Sequence, residues 1–471
     1  MEKDFKLMRF LSKIYNFLPY QIQNIGISIY GYYWKNRRLG KEFKKELFFY
    51  KKRENFTFQE WENYQETELR KLLIHAFKNV PLYNEKYIKA GFSLDDFKHF
   101  KLADLHKLPF LEKEELRKYG TTLLLSKKKE KGKFYYSSGS TGTPVSIYFS
   151  KKTHQKWFAA YESRVLNWAG VSIKNARGMI GGRKIIHKSN TKPPYFRFNK
   201  AEKQTYFSAY HIHEKSVKNY VKGIVKHKVE FMVGYAMSNY FLAKLIADKN
   251  IKVPKLKAVI TSSEKLTNEM RTTFTKAYNC KAYDSYSGME ACGLISENLF
   301  GDFLFSPDTG VLELINEKGK EVDNGDEGEV VLTGLLNFDQ PLIRYKIGDK
   351  ATKKKNQQTK SGLEMPSILE INGRVEDVII GKDGKQIVRF HSLFLNITGL
   401  IVGQIIQENL NVFVINLTVD NSYSQKSEFT ILQRLNEILG ENNTVDFKYL
   451  QEIPKNKNGK FRAVINNLKN V

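Results

Sequence analysis

The stretch YYSSGSTGTPVSIYFS, residues 135–150, holds eight consecutive residues, Ser137 to Pro144, that are hydroxyl-bearing, glycine or proline. Its flanks alternate aromatic or aliphatic residues with polar ones, as strands do. Successive backbone N–H groups in a glycine-rich turn form a concave nest that suits phosphate oxygens. The Ser and Thr hydroxyls add donors, and Gly139 and Gly142 allow a close approach that larger residues forbid. The loop is therefore a phosphate-binding candidate, although the same composition also describes an ordinary surface loop. No Gly-Lys-Ser/Thr follows, and the next element reads as a strand rather than a helix, which excludes the Walker loop. No GxGxxG is present in it, so it is not the dinucleotide fingerprint either.

The elements that must position such a loop can be read along the chain. Residues 58–118 carry apolar residues near helical spacing, interrupted at Pro81 and by AGFSLDDF, where Ser93 is expected to cap a short helix over 94–97. From 133 to 350, short strands alternate with helices; KVEFMVGY and LKAVITSSE read as buried strands running into loops. GDEGEVVLTGL and LIRYKIGDKAT read as strands of a β-rich piece, and 352–366 as a polar loop. The tail differs. DVIIGKDGKQIV predicts a hairpin turning at Asp383–Gly384. Strands near 403–408 and 411–419, an amphipathic helix in SEFTILQRLNEILG and a strand near 444–450 complete a small α+β piece.

Composition bounds the answer. The chain has 471 residues, 41% hydrophobic and 13% aromatic, enough for a large core and two or three domains. No run of apolar residues reaches the length of a transmembrane helix, and the N-terminus shows no secretory signal pattern. Two cysteines, Cys280 and Cys292, make no disulfide framework and have no zinc spacing, which points to a reducing, cytoplasmic chain. Lys plus Arg is 77 against 50 acids, a net charge of +27. That charge is read either as attraction to a polyanion or as a dispersed surface excess. No zinc finger, RNP signature or basic zipper is present, so no specific nucleic-acid partner is expected. The first 40 residues mix Phe, Tyr, Trp and Ile with Lys and Arg; they read as a helical arm packed on its own domain or as an interfacial helix at the inner face of an anionic membrane.

SSGSTGTP resembles the phosphate loop of the adenylate-forming superfamily. Four further stretches follow in that superfamily's order: SYSGME (285–290), PLIRYKIGD (341–349), GRVEDVI (373–379) and IPKNKNGKFR (453–462). They resemble its aromatic-x-x-x-Glu, Tyr-Arg-x-Gly-Asp, hinge and C-terminal Lys motifs. LIRYKIGD, VGYAMSNYFLAKLI and LPYQIQNIGISIYGYYW are similar to the phenylacetate–CoA ligase branch and, within it, to CapK-type capsular polysaccharide biosynthesis proteins.

The resemblance implies an α/β fold with a large N-terminal adenylate-forming domain of layered sheets and helices over 1–372. That domain would include a helical arm at about 1–118 and a β-rich subdomain. A small mobile α+β lid would occupy 373–471. It implies ATP, Mg²⁺ and, as one acceptor, CoA. A small-molecule carboxylate would be activated as its adenylate and passed to CoA or to a sugar amine or hydroxyl, with glycan-assembly proteins as partners. Ser137, Ser138, Gly139, Ser140, Thr141 and Gly142 would hold the β- and γ-phosphates, Glu290 would ligate Mg²⁺, and Tyr286 would pack against adenine. Asp349 would grip the ribose, Arg374 would bind ribose or phosphate near the hinge, and Ser263 and Glu264 would form the adenine-side loop. Lys460 would bridge the carboxylate and α-phosphate oxygens as the catalytic cation. Three positions depart from the family pattern: Val145 stands where Lys is common after the loop's Pro, Met289 where Thr or Ser precedes the Glu, and Lys346 where Arg is usual. They leave open a catalytically impaired, nucleotide-binding scaffold.

Overall fold

A computed structural model describes residues 15, 18–136, 145–183, 185–186, 192–372, 379–382, 386–387, 391–394, 397–451, 453 and 463–468. The fold is mixed α/β, with several sheets and helices between them. The chain forms two units. One comprises Arg37–Gly170 and Tyr283–Arg374; the other comprises Met1–Asn36, Val171–Ala282 and Val375–Val471.

The first of these units is built on helices Lys41–Arg53, Phe58–Asn79 and Pro81–Lys89. Thr57 and Glu60 form a capping box that satisfies orphan donors where the second helix starts. Its Trp61, Leu69, Leu72, Leu73 and Ala76 recur at helical spacing and are buried. Pro81 ends that helix and opens the next at N1, where its missing N–H costs nothing. Ser93 does not cap a helix: its hydroxyl donates to Asp96 at 2.6 Å, and only a 3₁₀ turn, Asp96–Lys98, follows. Leu105, Leu116, Val145, Ile147, Leu314, Val330, Leu332 and Tyr345 share one core with the helices. A four-stranded antiparallel sheet runs in the order Gly310–Ile315, Glu327–Gly334, Tyr345–Lys353, Ile368–Asn372. Strands Gly132–Tyr136 and Ser146–Ser150 pair antiparallel with Tyr136 opposite Ser146, so the hydroxyl- and glycine-rich stretch joins the two strands of a hairpin.

In the other unit, strands Ala258–Ser262, Phe231–Tyr235, Arg177–Gly181 and Gln204–Ser208 lie side by side and parallel. Phe196–Asn199 pairs antiparallel at the edge. Their residues are almost all buried, as parallel strands covered on both faces require. Gly234 has φ +129° and a Cβ there would strike the Ile180 carbonyl, so only glycine fits.

The tail of this unit forms its own sheet in the order Thr444–Tyr449, Val412–Val419, Leu400–Asn409, Val464–Asn466, with helix Gln425–Leu439. Ile405, Phe413, Ile415, Leu417, Ile431 and Leu435 make a separate core. Strands Ile379–Ile380 and Gln386–Ile387 pair as the expected hairpin. Its turn residue pair lies outside the described residues. Among the described residues no helix is long and apolar enough to cross a membrane.

Candidate functional site

Tyr286, Glu290 and Asp349 come together in one unit. Tyr286 ends a strand whose last residues pair antiparallel with Ile295–Glu297, Tyr286 opposite Ile295. SGME is therefore part of the connection between two hydrogen-bonded strands. Within it Ser287 and Met289 are exposed while Glu290 is turned inward and buried. The Glu290 Oε1 accepts a 3.2 Å hydrogen bond from the buried Tyr345 hydroxyl. Its Oε2 lies so close to Gly288 that a Cβ there would displace the carboxylate. Burial and the Glu290 charge push the Tyr345 phenol and the Cys292 thiol well up, so both stay protonated beside the carboxylate.

Asp349 sits in a bulge. Lys346 pairs with Val331 and Lys350 with Glu329, so Ile347, Gly348 and Asp349 stand opposite Val330 alone. Gly348, at φ +86°, takes the left-handed turn that this bulge needs. The Tyr286 hydroxyl donates to Asp349 Oδ2 at 2.8 Å. Burial first and the Asp349 charge second push the Tyr286 phenol far up, which keeps it a donor. A carboxylate oxygen has two lone pairs, so this bond is compatible with a ribose hydroxyl on the same carboxylate.

The basic residues of the same motif do other work. Arg344 is buried and its backbone is left-handed, φ +48°. Its guanidinium grips Glu313 through Nε (3.1 Å to each oxygen) and Nη2 (2.8 Å to Oε1). Nη1 donates to the His106 and Leu108 carbonyls at 2.9 and 2.6 Å, and the group lies 4.0 Å from the Phe110 ring centroid. Arg344 thus ties the bulged strand to the 106–110 segment. Lys346 pairs with Glu112 at 2.9 Å and lies over the same ring.

One set of residues was missed by reading the sequence: Asn337, Asp339 and Gln340, immediately before PLIRYKIGD. All three are buried. Gln340 Oε1 accepts from the Tyr148 N–H at 2.7 Å, and its Nε2 donates to the Ser146 and Gly120 carbonyls at 3.0 and 2.7 Å. Asn337 Nδ2 donates to the Tyr148 carbonyl at 3.0 Å. Asp339 accepts from Thr153 Oγ1 at 2.9 Å and from the Glu130 N–H at 2.8 Å. Side-chain amides therefore satisfy the outer edge of the Ser146–Ser150 strand in place of a neighbouring strand, and fasten the hairpin to the chain that leads to Asp349. The available signal was a run of polar residues, NFDQ, between two apolar strands.

Ser263 and Glu264 belong to the other unit, directly after the Ala258–Ser262 strand. Ser263 is exposed with φ +73°, a conformation that glycine adopts readily and serine rarely, in keeping with its likeness to a Gly-Gly-Glu loop. Ser137, Ser138, Gly139, Ser140, Thr141, Gly142, Arg374 and Lys460 lie outside the described residues. Val145 is buried, so no cation replaces the missing Lys at that position. Among the described residues no cluster of three His, Cys, Asp or Glu could hold a metal. A single inward carboxylate such as Glu290 would still suit Mg²⁺, a hard cation that is commonly held by one or two carboxylates together with substrate phosphates. Cys280 and Cys292 are both buried free thiols, and Trp168 packs with Trp61, Leu304 and Met365 as core.

Residues 379–467 match the CapK C-terminal domain family. The chain is 28% identical to Protein CapK of Staphylococcus aureus over 475 aligned residues, covering 98% of this chain and all of that one. It is 26% identical to phenylacetate-coenzyme A ligase of Aromatoleum evansii, over 65% of this chain and 68% of the relative. Among solved structures, 2-hydroxyisobutyryl-CoA ligase in complex with 2-HIB-AMP and CoA superposes with a TM-score of 0.57 at 17% identity, covering 88% and 91% of the two chains. That likeness shows the fold. The resemblance to CapK-type proteins holds over nearly the whole chain, and that to phenylacetate–CoA ligases over about two thirds of it.

Proposed function

We propose that this CapK-like protein is an ATP-dependent carboxylate-activating ligase. The observation that carries the reading is the pair of tyrosine-held carboxylates, Glu290 on Tyr345 and Asp349 on Tyr286, in a chain similar to CapK and phenylacetate–CoA ligases. A carboxylate oxygen of a small substrate attacks the α-phosphorus of ATP; the bond to the bridging oxygen breaks, leaving acyl-adenylate and pyrophosphate. The acyl group then passes to CoA or to a sugar amine or hydroxyl, with release of AMP, in capsular or other surface polysaccharide synthesis.

In this reading Asp349 orients the ribose, Tyr286 sets Asp349 and packs toward adenine, and Ser263 and Glu264 supply the adenine-side loop. The 137–142 donors hold the β- and γ-phosphates. Glu290 would hold Mg²⁺, which when bound neutralises charge on the phosphates. Arg374 marks the hinge of a lid formed by 373–471, separate from an ATP- and carboxylate-binding domain over 1–372. The lid delivers Lys460 to the charge that gathers on the α-phosphate during attack. Lid rotation would withdraw it for the second step.

Buried Val145 favours one alternative, a nucleotide-binding scaffold that has lost the chemistry. ATP–pyrophosphate exchange with a panel of arylacetates, short fatty acids, amino acids and uronic acids decides between them. Exchange with one acid that Lys460→Ala abolishes supports the ligase. ATP binding without exchange favours the scaffold, and neither binding nor exchange overturns both.

A further inference from the structure

The helix Tyr20–Arg38 has two apolar faces. One packs on its own unit through Tyr20 and Ile27. The other carries Ile22, Ile25, Ile29, Tyr32 and Tyr33, at helical spacing, and is open to solvent: Ile25 is 59% exposed, Ile29 68% and Tyr32 64%. Residues 20–34 contain no charge at all. Beside this stripe runs a groove of about 570 Å³, lined by Ile25, Ile29, Tyr32 and Phe198, with Lys200 at its rim. At the far end of the helix Trp34 packs edge-to-face on Tyr30 and Tyr33, next to the exposed Lys35.

We propose that this face docks on an anionic lipid bilayer, the helix lying flat at the interface with its isoleucines in the acyl boundary. Three features favour lipid over protein. From Phe5 to Lys41 the chain has seven Lys or Arg and no Asp or Glu, so the whole segment is complementary to an anionic surface. A stripe of isoleucines ending in the exposed Tyr32 and Tyr33, with lysines flanking it, is the arrangement an interfacial helix needs, apolar body below and amphipathic rings at headgroup level. A second copy of this chain would set one +27 molecule against another, which opposes self-association through the same face. The inference does not depend on the ligase reading.

The test is co-sedimentation of the full-length protein with vesicles of phosphatidylcholine alone and vesicles containing phosphatidylglycerol, at low and high salt. Wild type is expected on the anionic vesicles only, with binding falling as salt rises. Ile25→Glu with Ile29→Glu changes two exposed side chains, so the melting temperature stays put while partitioning falls by roughly tenfold or more. Lys200→Gln lowers it about fivefold. Failure to bind anionic vesicles, equal binding by neutral ones, or binding indifferent to the double substitution would each overturn the proposal. A dimer that the double substitution splits, without vesicle binding, would assign the face to a second copy instead.

Discussion

Gln340 gives the sharpest test of how this chain positions the hairpin proposed to hold the phosphates. The side chain is fully buried and makes three hydrogen bonds, to the Tyr148 N–H and to the Ser146 and Gly120 carbonyls. Gln340→Leu keeps the volume and leaves one donor and two acceptors buried without that partner. At about 1–3 kcal/mol for each group stranded, less what the apolar side chain regains, the expected loss is about 3–5 kcal/mol. For a unit of this size that corresponds to a melting temperature lower by about 6–20 °C, measurable by calorimetry. The functional part follows from geometry. The amide holds the outer edge of the strand that follows Ser137–Pro144, so its loss lets the loop drift relative to Asp349. A misplacement of an ångström is enough to lower kcat/KM for ATP by roughly ten- to a hundredfold. The KM for the carboxylate should move much less. Pyrophosphate exchange, well below the new melting temperature, reads both. A stability loss with unchanged kcat/KM for ATP would refute the claim that the hairpin carries the nucleotide. A melting temperature within a degree of wild type would refute the claim that these amide bonds fasten it.

Three other outcomes follow from the same geometry. Glu290→Gln keeps the Tyr345 hydrogen bond but removes the inward charge, so exchange should fall by roughly a hundredfold, relieved in part by raised Mg²⁺, while the melting temperature stays near wild type. Arg344→Lys cannot reproduce the bidentate grip on Glu313 or the two carbonyl bonds, and should cost about 3–5 kcal/mol in denaturant unfolding; an unchanged midpoint would contradict its role as a strut. Buried His154 accepts from Arg37 through Nδ1, and burial together with Arg37 and Arg38 holds its pKa down at about 3 against an ordinary 6.5. The unfolded chain takes up that proton first, so stability is full above about 6.5 and falls toward pH 3 by up to about 1.4 kcal/mol per pH unit; His154→Phe should flatten that slope in melts across the window.

Much of this protein was legible in one dimension because it rests on local rules. The strands at Phe231–Tyr235 and Ala258–Ser262 announce themselves as short apolar runs, and the tail helix Gln425–Leu439 by its period. The ordered motifs marked Glu290 and Asp349 because residue type, spacing and order survive in the sequence. Ser93 misled because a hydroxyl before an apolar run can serve a neighbouring carboxylate as well as a helix N-terminus. What only the tertiary structure decided is which side chain meets which. Arg344 and Asp349 sit five positions apart in one motif. One became a buried strut on Glu313, just before the strand, and the other a half-buried carboxylate held by Tyr286, in the bulge between Lys346 and Lys350. The NFDQ run became the fastening of the hairpin only when residues about 190 positions away folded against it. Hydrogen-bond satisfaction is a property of neighbours in space, and no local pattern encodes it.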